Sequence, residues 1–159
     1  MNMIAFLFSF IVAVSAFAGE IPAGCTASPN FSAEAYTVWA SNGVQQNASK
    51  ESVDSPAIPV GQRVELQLLP TPENEFSGYV KFEIPVSGTY VIATDAYPRM
   101  NLTDLANGEN LDPVDFGKIS DCGTVSKALR FEFNEPRQIL LEFVSRKSAV
   151  LNFLIWRLN

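Results

Sequence analysis

Alternation of apolar and polar positions sets in at residue 63 and recurs to the end of the chain. Residues 63–69 set Val64, Leu66 and Leu68 against Arg63, Glu65 and Gln67; residues 79–84 set Val80, Phe82 and Ile84 against Lys81 and Glu83. A period of two puts each set on one side of an extended chain, so both segments predict strands with one buried and one wetted face. Residues 89–94 are almost wholly β-branched or aromatic, which predicts a strand near the centre of a sheet. Residues 99–105 carry a weaker version of the pattern. Residues 128–133 point Leu129, Phe131 and Phe133 inward against Arg130 and Glu132. Two further runs, 138–144 and 149–158, are joined by the polar turn 145–148 and read as a hairpin with a four-residue loop.

Between these runs lie turn residues at intervals of about eight to twelve positions, the spacing of a sandwich or barrel. Residues 106–122 carry Asn107-Gly108, Asp112-Pro113 and Gly117, and predict one long connection with a short strand at 114–119. No ten-residue helical periodicity competes with the strands beyond the N-terminal apolar run. The expected fold is therefore all-β, a single-domain antiparallel β-sandwich. Its core domain spans residues 58–159, preceded by a segment at 19–57 rich in Ala, Ser, Asn, Gly and Gln. Within that segment the apolar patch Tyr36, Val38 and Trp39 fits a strand or a short helix. A membrane β-barrel would need strands of about 9 to 11 residues and an apolar outer band. Most runs here are shorter and have charged outer faces.

Residues 4–17 form an uncharged apolar run broken only by serines, followed by the small-x-small pattern Ala16-Phe17-Ala18. That order predicts a cleavable signal peptide at 1–18, hence a periplasmic or secreted protein. A spanning helix needs about 20 apolar residues, and no second long apolar segment occurs, so nothing is expected to cross a bilayer as a helix after processing. The n-region lacks Lys and Arg. A second reading cuts before Cys25 and lipidates it, since Ala23-Gly24-Cys25 matches the end of a lipoprotein signal, with Pro22 ill-suited to that motif.

Composition narrows the chemistry. Seventeen Asp and Glu against eleven Lys and Arg give a net charge of −6, which disfavours nucleic acid and anionic membranes as partners. With no histidine there can be no Ser-His-Asp or Cys-His site, no His-ligated zinc and no two-His-one-carboxylate iron centre. The two cysteines, Cys25 and Cys122, are an even pair in an oxidising compartment and predict one disulfide tethering residues 19–57 to the second half of the chain. Such a closure stabilises by up to about 4 to 5 kcal/mol in the entropic account.

Carboxylates are the one remaining constellation. Asp95, Asp112 and Asp115 fall in an acidic, Asn-containing stretch whose oxygen ligands would suit calcium, although no EF-hand loop fits at Asp104. The same acids could supply a glycosidase pair if they meet in a cleft. A solvated, turn-rich loop is the plainer reading. Trp39, Tyr36, Tyr97 and Trp156 are candidate surface aromatics able to stack on sugars or anchor a protein; Trp39 and Tyr97 are the chosen ligand-binding candidates. Three matches to the glycosylation sequon begin at Asn30, Asn47 and Asn101.

Two stretches carry a family resemblance: IPVGQRVELQLLPTP (58–72) with FSGYVKFEIPVSGTYVIATDAYP (76–98), and KALRFEFNEPRQILLEFVSRKSAVLNFLIWRL (127–158). They resemble a group of small exported bacterial proteins without established function. The arrangement is similar to pre-peptidase C-terminal domains, which are jelly-roll-like sandwiches. The resemblance covers about two-thirds of the chain after the signal, and its motifs, such as Gly88-Thr89-Tyr90, belong to strands and turns; they speak for fold more than activity. It implies calcium or an extracellular polymer as ligand, with no matching ligand motif present. Some members of the group carry His-Gly-His before the cysteine; here residues 115–121 read DFGKISD, so a metal or oxygenase role does not transfer. The combined expectation is an exported, non-catalytic binding or scaffolding protein with a protein or polysaccharide partner. Its alternative is a carboxylate-dependent enzyme, or a calcium-assisted module, acting on envelope or extracellular glycans. Neither the ligand nor the oligomeric state is written in the residues.

Overall fold

A computed structural model describes residues 25, 28, 30–119 and 124–158. The predicted signal at 1–18 and Cys122 lie outside the described residues. Among the described residues one helix, α1 (Ala33–Ala40), precedes eleven strands: β1 (Val44–Asn47), β2 (Arg63–Gln67), β3 (Leu69–Pro70), β4 (Phe76–Ile84), β5 (Gly88–Thr94), β6 (Arg99–Asp104), β7 (Asn110–Leu111), β8 (Asp115–Lys118), β9 (Lys127–Phe133), β10 (Arg137–Ser145) and β11 (Val150–Leu158). They form a six-stranded sheet ordered β1-β2-β11-β5-β9-β8 and a five-stranded sheet ordered β3-β4-β10-β6-β7. All pairings are antiparallel except β1 with β2, where Val44 lies opposite Val64. The all-β sandwich read from the alternation is the observed fold.

The period-two residues fill the space between the sheets. Val64 and Leu66 of β2, Val80, Phe82 and Ile84 of β4, Leu129, Phe131 and Phe133 of β9, Ile139, Leu141 and Phe143 of β10, and Leu151, Phe153 and Ile155 of β11 form one buried cluster. Phe143 and Phe153 meet across it with ring centroids 4.9 Å apart. At one end the core holds a charge: Asp104, 3% exposed, takes a 2.8 Å ion pair from Arg137.

Strand β5 explains itself once both faces are considered. Tyr90 and Ile92 point into the inter-sheet core, while Val91 and Ala93 point the other way into a second cluster with Ala128, Leu154 and the helix residues Ala35, Tyr36 and Trp39. A strand covered on both sides loses the polar half of its alternation, which is why 89–94 reads as continuously apolar. The helix that does the covering begins at Ser32, whose side chain accepts a hydrogen bond from Ala35 N (3.2 Å). Phe31, just before the cap, packs edge-on against Tyr36 at 4.6 Å, a hydrophobic staple across the first turn.

Two expectations are corrected here. Tyr36 and Trp39 are not surface aromatics; they are 1% and 4% exposed and belong to the second cluster. The pair β10 and β11 is not a hairpin. β10 pairs with β4 and β6, whereas β11 pairs with β2 and β5, so the turn between them carries the chain from one sheet to the other. Each strand is more than half apolar, and packing Phe143 against Phe153 across the core removes more apolar surface from water than setting them side by side in one sheet would.

The segment at 48–58 closes the outer edge of β4. Ser49 and Tyr79 exchange both backbone hydrogen bonds (3.0 and 2.8 Å), and Lys81 N donates to Pro56 O (2.9 Å) while Ile58 N donates to Lys81 O (2.9 Å). Residues before 58 are thus part of the sandwich, supplying β1, this edge cover and α1. Gly78 permits the approach: a Cβ there would run into Cβ of Ala48. Gly78→Ala is expected to lower stability by about 1–3 kcal/mol through overpacking, read as a lower denaturant midpoint. Asp104→Asn should cost about 1–3 kcal/mol by removing the buried one of the two carboxylates that hold Arg137, the other being the exposed Glu135, measured the same way; an unchanged midpoint would show that the Asp104 pair contributes nothing net.

Candidate functional site

The turns at one end of the sandwich enclose a cavity of about 570 Å³ lined by Glu75, Asp95, Tyr97, Arg99, Ser126, Arg146 and Lys147, among others. Three connections build it: the turn before β4, residues 95–98 after β5, and the turn from β10 to β11. The middle one is fastened at several points. Thr94 Oγ1 donates to Ala96 O (2.8 Å), Ser126 Oγ to Asp95 O (2.9 Å) and Lys127 Nζ to Pro98 O (2.9 Å). Burial pushes the Lys127 ammonium below its ordinary value of 10.5, and its Nζ lies 5.8 Å from the centre of the Phe116 ring. A loop held this way presents Tyr97, 56% exposed, in a fixed setting.

The β10–β11 turn is held by Ser145, whose hydroxyl accepts from Ser148 N (3.2 Å) and Lys147 N (3.4 Å). It offers Arg146 and Lys147 to the cavity. Arg146 Nε pairs with Glu75 at 2.8 Å. Arg99 and Lys147 have no ion-pair partner among the described residues. Asp95 is shared with a neighbouring cavity of about 410 Å³ that also touches Trp39, Arg63, Thr124 and Asn152, so the two hollows adjoin. In the second, Arg63 Nε is a buried donor without a hydrogen-bond partner.

The three predicted calcium ligands are not brought together. Asp95 sits at this end, its carboxylate accepting from Asn152 N (3.1 Å) and Asn152 Nδ2 (2.8 Å). Asp112 is exposed in the connection between β7 and β8. Asp115 opens β8, where it accepts from Asn30 Nδ2 (3.1 Å) and Phe116 N (2.9 Å), with Arg130 at 3.8 Å. Among the described residues no three His, Cys, Asp or Glu side chains are grouped so as to hold a metal. Glu75 and Asp95, the two acids on the first cavity, are each already engaged, one by Arg146 and one by Asn152.

Of the two ligand-binding candidates, Tyr97 is exposed on the first cavity and Trp39 is buried with only an edge toward the second. Sequence reading missed Arg99, Ser126, Arg146 and Lys147. The Arg146-Lys147 dipeptide in a four-residue turn was the available signal, but paired cations in a turn are ordinary solvated residues until loops from elsewhere gather beside them.

The hydrogen bonds from Asn30 and from Phe116 N hold the Asp115 carboxyl below its ordinary 3.8, with Arg130 adding to them. A depressed folded-state value makes this contribution to stability present above pH 3.8 and lost as pH falls through the lowered value. Asn30→Ala should therefore raise the Asp115 titration midpoint toward 3.8 in an NMR titration of its carboxyl carbon; an unmoved midpoint would assign the shift to other groups. In comparison with known proteins, neither a family model nor a curated protein matches the chain.

Proposed function

We propose that this is an exported, non-catalytic binding protein whose ligand carries an acidic group and is received at the loop end of the sandwich. The observation that carries the reading is the meeting of two cations lacking ion-pair partners among the described residues, Arg99 and Lys147, with the exposed ring of Tyr97 on one 570 Å³ cavity. A cation left without a carboxylate beside a concave surface favours an anionic guest, and an aromatic face adds stacking area. The ligand class is a sugar acid or another small carboxylate rather than an anionic polymer, because the chain's net charge of −6 repels extended polyanions.

Binding is preferred to catalysis because Glu75 and Asp95 are both held by neighbours, leaving neither poised as a free acid or base. Export rests on residues 1–18, and the resemblance to pre-peptidase C-terminal domains fits a binding role without naming the guest. The pairing of Cys25 with Cys122 belongs to the same proposal: no cysteine among the described residues is free, and Cys25 packs beside the cluster under α1.

The test is calorimetric titration of the processed protein with a panel of sugar acids and their uncharged counterparts. The acidic members should bind, and Arg99→Ala, Lys147→Ala and Tyr97→Ala should each weaken binding by about tenfold while leaving the melting temperature unchanged. Equal binding of charged and uncharged members, insensitivity to all three substitutions, or turnover of a ligand would overturn the proposal. Non-reducing mass spectrometry checks the cysteines, two free thiols being the adverse result.

A further inference from the structure

A third hollow runs over the outer face of the five-stranded sheet and round its β7 edge toward β9. A groove of about 740 Å³ takes in Tyr79 of β4, Leu140 and Glu142 of β10, Asn101 and Thr103 of β6 and Asn110 of β7, and continues past Leu102 to Lys127, Leu129 and Phe131 of β9. The pairing register sets Tyr79, Glu142 and Asn101 in one row across three strands. The next row runs from Lys81 through Leu140 to Thr103, and on to Asn110.

The first row is internally wired. Tyr79 Oη donates to Glu142 Oε1 (3.0 Å) and Asn101 Nδ2 donates to Glu142 Oε2 (2.6 Å). Each carboxylate oxygen is thereby fixed by one donor from either side and keeps an acceptor position free toward the groove. Glu142 has no ion-pair partner among the described residues. Beside it, Thr103 Oγ1 donates to Asn110 Oδ1 (3.2 Å), which leaves the Asn110 amide hydrogens and the Asn101 amide oxygen for outside partners. Glu142 on β10 and Asn110 on β7 thus stand two strand spacings apart, roughly 10 Å across the sheet, and one row apart along it, a span that takes more than one sugar ring. Leu140, one row from Glu142 on the same strand, adds an apolar patch.

We infer that this face binds a neutral, hydroxyl-rich ligand of the saccharide class. Hydroxyls both donate and accept, so one ring of a saccharide chain can donate to the fixed Glu142 carboxylate with its C–H face on Leu140 while a neighbouring ring accepts from the Asn110 amide. An acidic ligand is disfavoured by Glu142, which separates this surface from the cation-bearing loop end. The inference does not depend on the reading of that end, since the two share no lining residue.

The test is affinity electrophoresis of the processed protein through gels containing soluble β-glucan, xylan, mannan or, as a cationic control, chitosan. At least one neutral polysaccharide should retard the protein. Asn101→Ala and Glu142→Gln should each weaken that retardation by about tenfold, the loss expected for one hydrogen bond at a charged acceptor, whereas Arg99→Ala should leave it unchanged. Asn101 is exposed, so its substitution keeps the inference testable should Glu142→Gln fail to fold. No retardation by any neutral polysaccharide, retardation by chitosan alone, or neutral binding indifferent to both substitutions would each overturn the assignment. Loss on Arg99→Ala with retention on Asn101→Ala would move saccharide binding to the loop end.

Discussion

Coverage of the six-stranded sheet on both of its faces is the constraint that the rest of the molecule depends on. The inter-sheet core accounts for one face, and α1 with Phe31, Tyr36 and Trp39 accounts for the other. At about 25 cal/mol per Å² of apolar surface removed from water, a sheet packed on both sides gains from each of its central strands twice over. The chain before residue 58 is needed for this, because without α1 the outward side chains of Val91, Ala93, Ala128 and Leu154 would meet solvent as one apolar patch. The cap at Ser32 and the staple from Phe31 to Tyr36 allow a helix of only eight residues to hold its place.

That rigid double-sided layer fixes the loops at its ends. Residues 95–98 leave β5, the most enclosed strand, and are tied back by Thr94, Ser126 and Lys127, so Tyr97 projects from a loop with little freedom to rearrange and Arg99 from the start of β6. The β10–β11 turn brings its two cations alongside because it must step from one sheet to the other at this end. The five-stranded sheet, by contrast, has only one face in the inter-sheet core, and its outer face is polar, crossed by the row through Glu142. The two surfaces differ in sign, one offering cations without counter-ions and the other a carboxylate without one.

Strand identity was legible wherever one face is buried and the other wet, as in β2, β4 and β9, because a period of two can be read along the chain without knowing the neighbours. The same reading found β5 as central from its unbroken apolar run. It stopped short at α1: Tyr36, Val38 and Trp39 fit strand or helix equally, and eight residues are too few for a period of 3.6 to declare itself. The acids at 95, 112 and 115 were grouped by nearness in sequence, yet they leave β5, join β7 to β8, and open β8, and those positions face different partners.

What the sequence by itself determined is eight of the strands, β2, β4, β5, β6 and β8 to β11, the inward side of β2, β4 and β9, and the chemistry excluded by having no histidine. What only the tertiary structure decided is which strands share a sheet and which polar side chains meet. A four-residue turn serves a hairpin and a crossing between sheets alike, and the choice fell to Phe143 and Phe153 packing across the core. The companions of Arg99, at Ser126 and Lys147, and of Glu142, at Tyr79 and Asn101, stand tens of positions away along the chain. Contacts of that kind arise from global register, which no local pattern of residues encodes.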